Sequence, residues 1–240
     1  RKIYSKNPLA ETRKKIKLQF KYFWKAFNYK NHFSFLDQYY NVHLSNKPDF
    51  IIYSCYGYPW NGKTMPELDS KAVRVFYTGE NVRPDMNKCD YAISFCYDDD
   101  IRELNHFRLP NYTLRLWKFG FSWKSLVKTD QKSEELYRKK SKFCNFIYSN
   151  PNCEIRNQFF HELSKYKRVD AGGKLFNNMG ERVSGNHGSL GSKLEFMSDY
   201  KFSIAFENAS YPGYTTEKLV EASLAGTVPI YWGNPEVHRD

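Results

Sequence analysis

The stretch from Tyr200 to Glu236, YKFSIAFENASYPGYTTEKLVEASLAGTVPIYWGNPE, leaves little freedom in how it folds. Phe202 to Phe206 is a short apolar run with aromatic and β-branched residues, the pattern of a strand buried on both faces. A polar loop from Glu207 to Tyr214 follows and holds Pro212 and Gly213. Thr215 or Thr216 is placed to cap a helix whose inner face carries Leu219, Ala222 and Ser223. Gly226 is placed to end that helix ahead of a strand from Val228 to Trp232. Lys218 falls in the first turn, where backbone N–H groups already carry about half a positive charge. Two readings stay open for it. Either an anion binds there, using the lysine and the free N–H groups together, or Lys218 points into water beside Glu217.

Earlier in the chain, Ile16, Leu18, Phe20, Tyr22 and Trp24 alternate with Lys17, Gln19, Lys21 and Phe23, which predicts a strand. Phe33, Leu36 and Tyr40 predict a helix within 32–40, and Pro48 introduces a second strand over Asp49–Ser54. Further strands are predicted over Ala72–Tyr77 and Asp90–Phe95, so a parallel sheet is expected. Residues 118–142 hold eight Lys/Arg against three acids and predict a partly helical linker. A second unit then opens with a strand over Phe143–Tyr148 and a helix over Glu154–Tyr166. Arg156 lies in the first turn of that helix. Two junctions therefore each place a cation where the helix dipole disfavours one, and together they favour a bound phosphate. The Gly/Asn-rich run from Ala171 to Gly191 predicts a long loop.

With 41% hydrophobic and 18% aromatic residues the chain holds enough apolar material for two cores. No apolar run is long enough to predict a transmembrane helix. The balance of 37 Lys+Arg against 26 Asp+Glu is uneven, because residues 1–30 hold ten Lys/Arg and one acid, Glu11. That basic arm suits an anionic membrane surface or a negatively charged substrate; no nucleic-acid-binding signature accompanies it. Five cysteines without a C-x-x-C pair predict buried thiols and no zinc site. Gly57 to Thr64 satisfies the Walker A pattern, but Pro59 lacks an N–H, Tyr58 and Trp60 crowd the turn, and Pro66 interrupts the helix that should follow. A P-loop-type nucleotide hydrolase and a non-catalytic basic binding protein are the alternatives to the reading given next.

The run FSIAFENASYPGYTTEKLVEASLAGTVPIYWG from Phe202 to Gly233 resembles the donor-binding signature of the α-1,3-fucosyltransferases. Ala209 departs from it, since the family often has Ser there. The resemblance implies an α/β, GT-B-like fold, two Rossmann-like domains with parallel sheets facing across a cleft. It implies domains over 15–117 (acceptor side) and 143–240 (donor side), joined by the 118–142 linker and preceded by the 1–14 arm. The chain is expected to continue past Asp240. The implied activity is transfer of L-fucose from GDP-fucose, with inversion, to a hydroxyl of N-acetylglucosamine or glucose in an N-acetyllactosamine-like acceptor. Arg156 and Lys218 match positions that contact the diphosphate, while Asn208, Tyr214 and Glu217 match contacts to donor sugar or ribose hydroxyls.

Glu80 follows the strand Ala72–Tyr77, where ligands usually bind in an open α/β sheet, although an acid at such a loop tip is, without the resemblance, more often a solvated turn residue. FYTGENVRPD, residues 76–85, resembles the family's acceptor-domain motif, in which Glu80 matches the proposed general base. Asp98, Asp99 and Asp100 are read as a solvated loop; as in other GT-B enzymes, no metal or other cofactor is expected. Asn111 and Asn208 both head glycosylation sequons, and a glycan on Asn208 would block the donor loop. A cytoplasmic enzyme, peripheral at a membrane, is therefore expected, with the Golgi lumen as the alternative if an anchor has been removed.

Overall fold

The computed structural model describes residues 13–56, 68, 71–183 and 190–240. Its chain divides into two compact units, Arg1–Ser94 with Asp98–Arg108 and Phe95–Tyr97 with Leu109–Asp240. Each has its own all-parallel sheet, the α/β class expected from the sequence.

The first unit's strands are β1 (Lys15–Lys21), β2 (Asn41–Leu44), β3 (Phe50–Tyr53), β4 (Val73–Tyr77), β5 (Tyr91–Ser94) and β6 (His106–Arg108). Their order across the sheet is β2-β1-β3-β4-β5-β6, with Leu18 opposite Phe50 and Ile52 opposite Val75. Ile16 and Leu18 are buried while Lys15 and Lys17 are exposed, as alternation requires. Ile51, Tyr53, Phe76 and Ala92 form the core.

β1 ends before Trp24 because Tyr22 turns left-handed at φ 61°. The helix expected within 32–40 is instead a short α1 (Tyr29–His32) and a 3-10 turn over Ser34–Gln38. Phe33 breaks it at φ −125°, ψ 11°, placing its ring 5.1 Å from that of Tyr77 and 5.4 Å from that of Phe20. β2 and β6 escape sequence reading because they are short edge strands with polar, exposed positions.

The second unit holds β7 (Lys142–Phe146), β8 (Val169–Ala171), β9 (Tyr200–Phe206) and β10 (Val228–Trp232), in the order β10-β9-β7-β8. Its helices are α2 (Asn111–Phe119), α3 (Trp123–Leu126), α4 (Asp130–Lys139), α5 (Glu154–Tyr166), α6 (Leu190–Ser198) and α7 (Glu217–Leu224). Cys144, Phe146, Phe160, Ile204 and Phe206 make its core. From β7 the chain runs through α5 to β8 on one side, then through α6 to β9 on the other. The carboxyl ends of β7 and β9 thus form a topological switch point, where open α/β sheets bind ligands.

By compactness, residues 109–142 belong to this second unit, so 118–142 is not a free linker. Tyr112 and Leu116, one turn apart on α2, pack on Val220 of α7. Buried Lys140 donates to the carbonyls of Ser198 at 2.6 Å and Ala225 at 3.2 Å, at the C-terminal ends of α6 and α7. Its charge suits those carbonyls. The basic composition of this stretch reads as solvated surface, which hides these anchors. All five cysteines are buried. The Walker-like Gly57–Thr64 and the basic arm lie outside the described residues, apart from Arg13 and Lys14 in the arm. No helix among the described residues is long and apolar enough to cross a membrane.

Candidate active site

Two chain segments leave the switch point side by side. After β7, Tyr148 is locked in place by hydrogen bonds from its hydroxyl to the carbonyls of Ile204 (2.8 Å) and Phe206 (3.1 Å). Its ring supports the guanidinium of Arg156, whose Cζ lies 4.1 Å from the ring centroid. Arg156 is fully buried, and its partners are neutral: Nη1 donates to Asn208 Oδ1 at 2.8 Å and Nη2 to the carbonyl of Asn150 at 2.6 Å. Its Nε has no hydrogen-bond partner among the described residues. Among the described residues no carboxylate pairs with this buried guanidinium, so its donors are suited to an anion.

After β9 comes Glu207, also fully buried. Its carboxylate accepts the Thr216 N–H at 2.7 Å, the Thr216 hydroxyl at 2.6 Å and Lys218 Nζ at 3.1 Å. Thr216 is the N-cap of α7, so a carboxylate from β9 fixes the helix start where negative charge is favoured. A Cβ at Gly233 would come within 2.4 Å of Glu207 Cγ, so glycine makes room for this side chain. Lys218 is neither free nor pointing into water: Nζ also donates to Thr216 Oγ1 at 2.9 Å and lies 3.8 Å from Glu217.

Burial pushes the Glu207 carboxyl up, Lys218 opposes this, and Glu217 adds to it; the net shift is upward. For Lys218, burial disfavours the ammonium, but Glu217 and Glu207 outweigh it and keep the side chain charged well above neutral pH. Glu217 accepts from Asn111 Nδ2 at 3.4 Å. Burial pushes its carboxyl up, yet Lys218, then Lys193, its own backbone N–H and Arg115 hold it down to about 2. Tyr214 is buried, its ring 5.2 Å from that of Phe95 and near enough to Lys218 to affect its charge. Within α7, fully buried Glu221 takes Arg115 Nη2 at 2.7 Å and Lys193 Nζ at 2.6 Å. Arg156, Lys218, Asn208, Glu217 and Tyr214 are thus all brought to one end of this sheet.

Glu80 belongs to the first unit, half-buried just after β4. Tyr56 donates its hydroxyl to Oε1 at 2.6 Å, and the Glu80 N–H donates to Thr78 Oγ1 at 3.0 Å. The Asp98 carboxylate lies 3.4 Å from the His106 ring, and no group of three acids, histidines or cysteines gathers as a metal site among the described residues.

Residues 18–115 match the profile of the alpha-(1,3)-fucosyltransferase FucT N-terminal domain, and residues 121–239 that of the glycosyltransferase family 10 (fucosyltransferase) C-terminal region. A crystal structure of an alpha1,3-fucosyltransferase with GDP superposes with a TM-score of 0.72 at 30% identity, covering 100% of this chain and 73% of that one. The chain belongs to glycosyltransferase family 10, the fucosyltransferases.

A crystal structure of an alpha1,3-fucosyltransferase with GDP-fucose matches this family 10 chain equally well, with a TM-score of 0.72 at 29% identity over 100% of this chain and 73% of that one. The alpha-(1,3)-fucosyltransferase FucT of Helicobacter pylori is 33% identical over 233 residues, covering 85% of this chain and 46% of that protein. Alpha-(1,3)-fucosyltransferase B of Drosophila melanogaster is 32% identical over 119 residues, 46% of this chain and 26% of that protein. The family 10 chain therefore spans less than half the length of these relatives.

Sequence reasoning missed Glu207, Asn150, Tyr148 and the Arg115–Glu221–Lys193 cluster. An acid directly after a largely apolar strand was visible in Glu207, a signal similar to the one that singles out Glu80 after β4. The other residues carry no such local signal, because each acts through a partner distant in sequence.

Proposed function

We propose that this family 10 chain transfers L-fucose from GDP-β-L-fucose to a hydroxyl, O3, of N-acetylglucosamine or glucose in an N-acetyllactosamine-like glycan, with inversion to an α-fucoside. Glu80 takes the proton of the acceptor hydroxyl as its oxygen attacks the anomeric carbon. The bond from that carbon to the β-phosphate oxygen breaks, and GDP leaves from the opposite face. Negative charge grows on the diphosphate in the transition state. Arg156, Lys218 and the N-terminus of α7 stabilise it, so no divalent metal is required.

The observation that carries this reading is the buried Arg156 guanidinium, whose hydrogen bonds among the described residues go only to neutral groups, one of them Asn208 in the loop that leads into α7 and Lys218. The GDP and GDP-fucose complexes of the similar structures support the same donor. Asn208 is bound to Arg156, and a glycan on it would crowd that contact, which supports action in the cytoplasm, with basic segments holding the enzyme at an anionic membrane.

The test is transfer from GDP-fucose to N-acetyllactosamine by the full-length protein in the presence of EDTA, alongside melting with GDP and with ATP. Fucosylated product and GDP-selective stabilisation are expected. Absence of product together with equal stabilisation by ATP would refute the assignment.

A further inference from the structure

We propose that Tyr56 is a positioning residue that holds the Glu80 carboxylate for the acceptor hydroxyl; the inference rests on Glu80 being the base. Tyr56 lies just beyond β3, and its N–H donates to the Tyr22 carbonyl at 2.8 Å. Tyr22 is a non-glycine residue at φ 61°, a conformation that is strained for a bulky residue and persists only where its surroundings enforce it. That left-handed turn ends β1 and presents the carbonyl to which Tyr56 is tied. The Tyr56 ring is held separately, edge-to-face against Trp24 with centroids 5.5 Å apart. Trp24 is itself braced by His32 at 4.7 Å and Phe27 at 5.3 Å.

With backbone and ring both fixed, the Tyr56 hydroxyl donates to Glu80 Oε1 at 2.6 Å, the length of a charge-assisted bond. Thr78 fixes the Glu80 backbone from the other side, its Oγ1 accepting the Glu80 N–H at 3.0 Å and donating to the Glu80 carbonyl at 3.1 Å. One carboxylate oxygen is thus committed to Tyr56, which assigns proton uptake to Oε2. Without the hydroxyl the carboxylate rotates about its terminal torsions, which have broad minima, and the productive geometry is sampled less often.

The test is a double-mutant cycle in the full-length protein with Tyr56→Phe, Glu80→Gln and the pair, reading kcat for transfer, KM for GDP-fucose and melting temperature. Tyr56→Phe keeps the ring and its packing. It is expected to lower kcat about tenfold, with KM for GDP-fucose and melting temperature unchanged. In the Glu80→Gln background it should add nothing further. A Tyr56→Phe variant with full kcat, or one that lowers kcat equally in both backgrounds, would overturn the proposal. If Glu80→Gln itself keeps full kcat, the base assignment fails first and this inference falls with it.

Discussion

Charge at this end of the second unit's sheet is set by a few side chains that answer one another. Glu217 is held down to about 2 although burial pushes it up, because Lys218 and then Lys193 favour the ionised form. Its folded value lies below its ordinary value of 4.5, so folding releases its proton and the ionised form contributes stability above that pH. The contribution should vanish as pH falls from about 4.5 towards 2. Glu207 is shifted the opposite way by burial and contributes with opposite sign. Comparing native protein with Glu217→Gln by denaturant unfolding removes most of that contribution, leaving only the part of the Glu207 shift that Glu217 itself adds. The stability difference should shrink across this pH range; a difference that stays constant would mean that Glu217 is not held ionised by its neighbours.

At the scale of elements, the loop between β9 and α7 decides where the helix begins. Gly213 sits at φ 79°, and a Cβ there would come 2.6 Å from the Phe95 carbonyl oxygen. Its N–H donates to Asn234 Oδ1 at 2.9 Å, while Asn234 Nδ2 reaches Thr215 Oγ1 at 3.1 Å, tying the loop to the end of β10. Gly213→Ala is therefore expected to lower stability by about 1–3 kcal/mol in denaturant unfolding and to weaken GDP binding. Native-like values in both would contradict the described loop geometry. This loop, α5, α7 and the strands β7, β9 and β10 were legible in the sequence because period, cap and glycine signals agree within each segment. Less was legible where elements are defined by distant partners. β8 is three residues long, and α6 is recognised chiefly by Met197 packing on Ala205 and Ala222. Residues 109–142 look like a solvated connection until Tyr112, Leu116 and Lys140 meet α6 and α7. Likewise Arg156 and Lys218 stood out as misplaced cations, whereas the anionic partner of Lys218, Glu207, came from a strand end eleven positions away.

Across the whole molecule, two parallel sheets have separate cores, with Glu80 following a strand of one and Arg156 and Lys218 gathered at the end of the other. A net charge of +11 favours an anionic donor without identifying it. If proton removal belongs to the first unit and diphosphate binding to the second, as proposed, variants in the two should differ in kind. The measurement that tests this most directly is GDP affinity by calorimetry and transfer rate for Glu80→Gln and Lys218→Ala in the full-length protein. Glu80→Gln is predicted to bind GDP almost as the native protein does while turnover falls by a factor of ~10² to 10⁴. Lys218→Ala is predicted to lose GDP affinity and turnover together, since its charge meets the diphosphate before and during bond breaking. A Glu80→Gln variant that keeps most of its turnover, or that loses GDP binding as severely as Lys218→Ala, would contradict the division of labour between the two units.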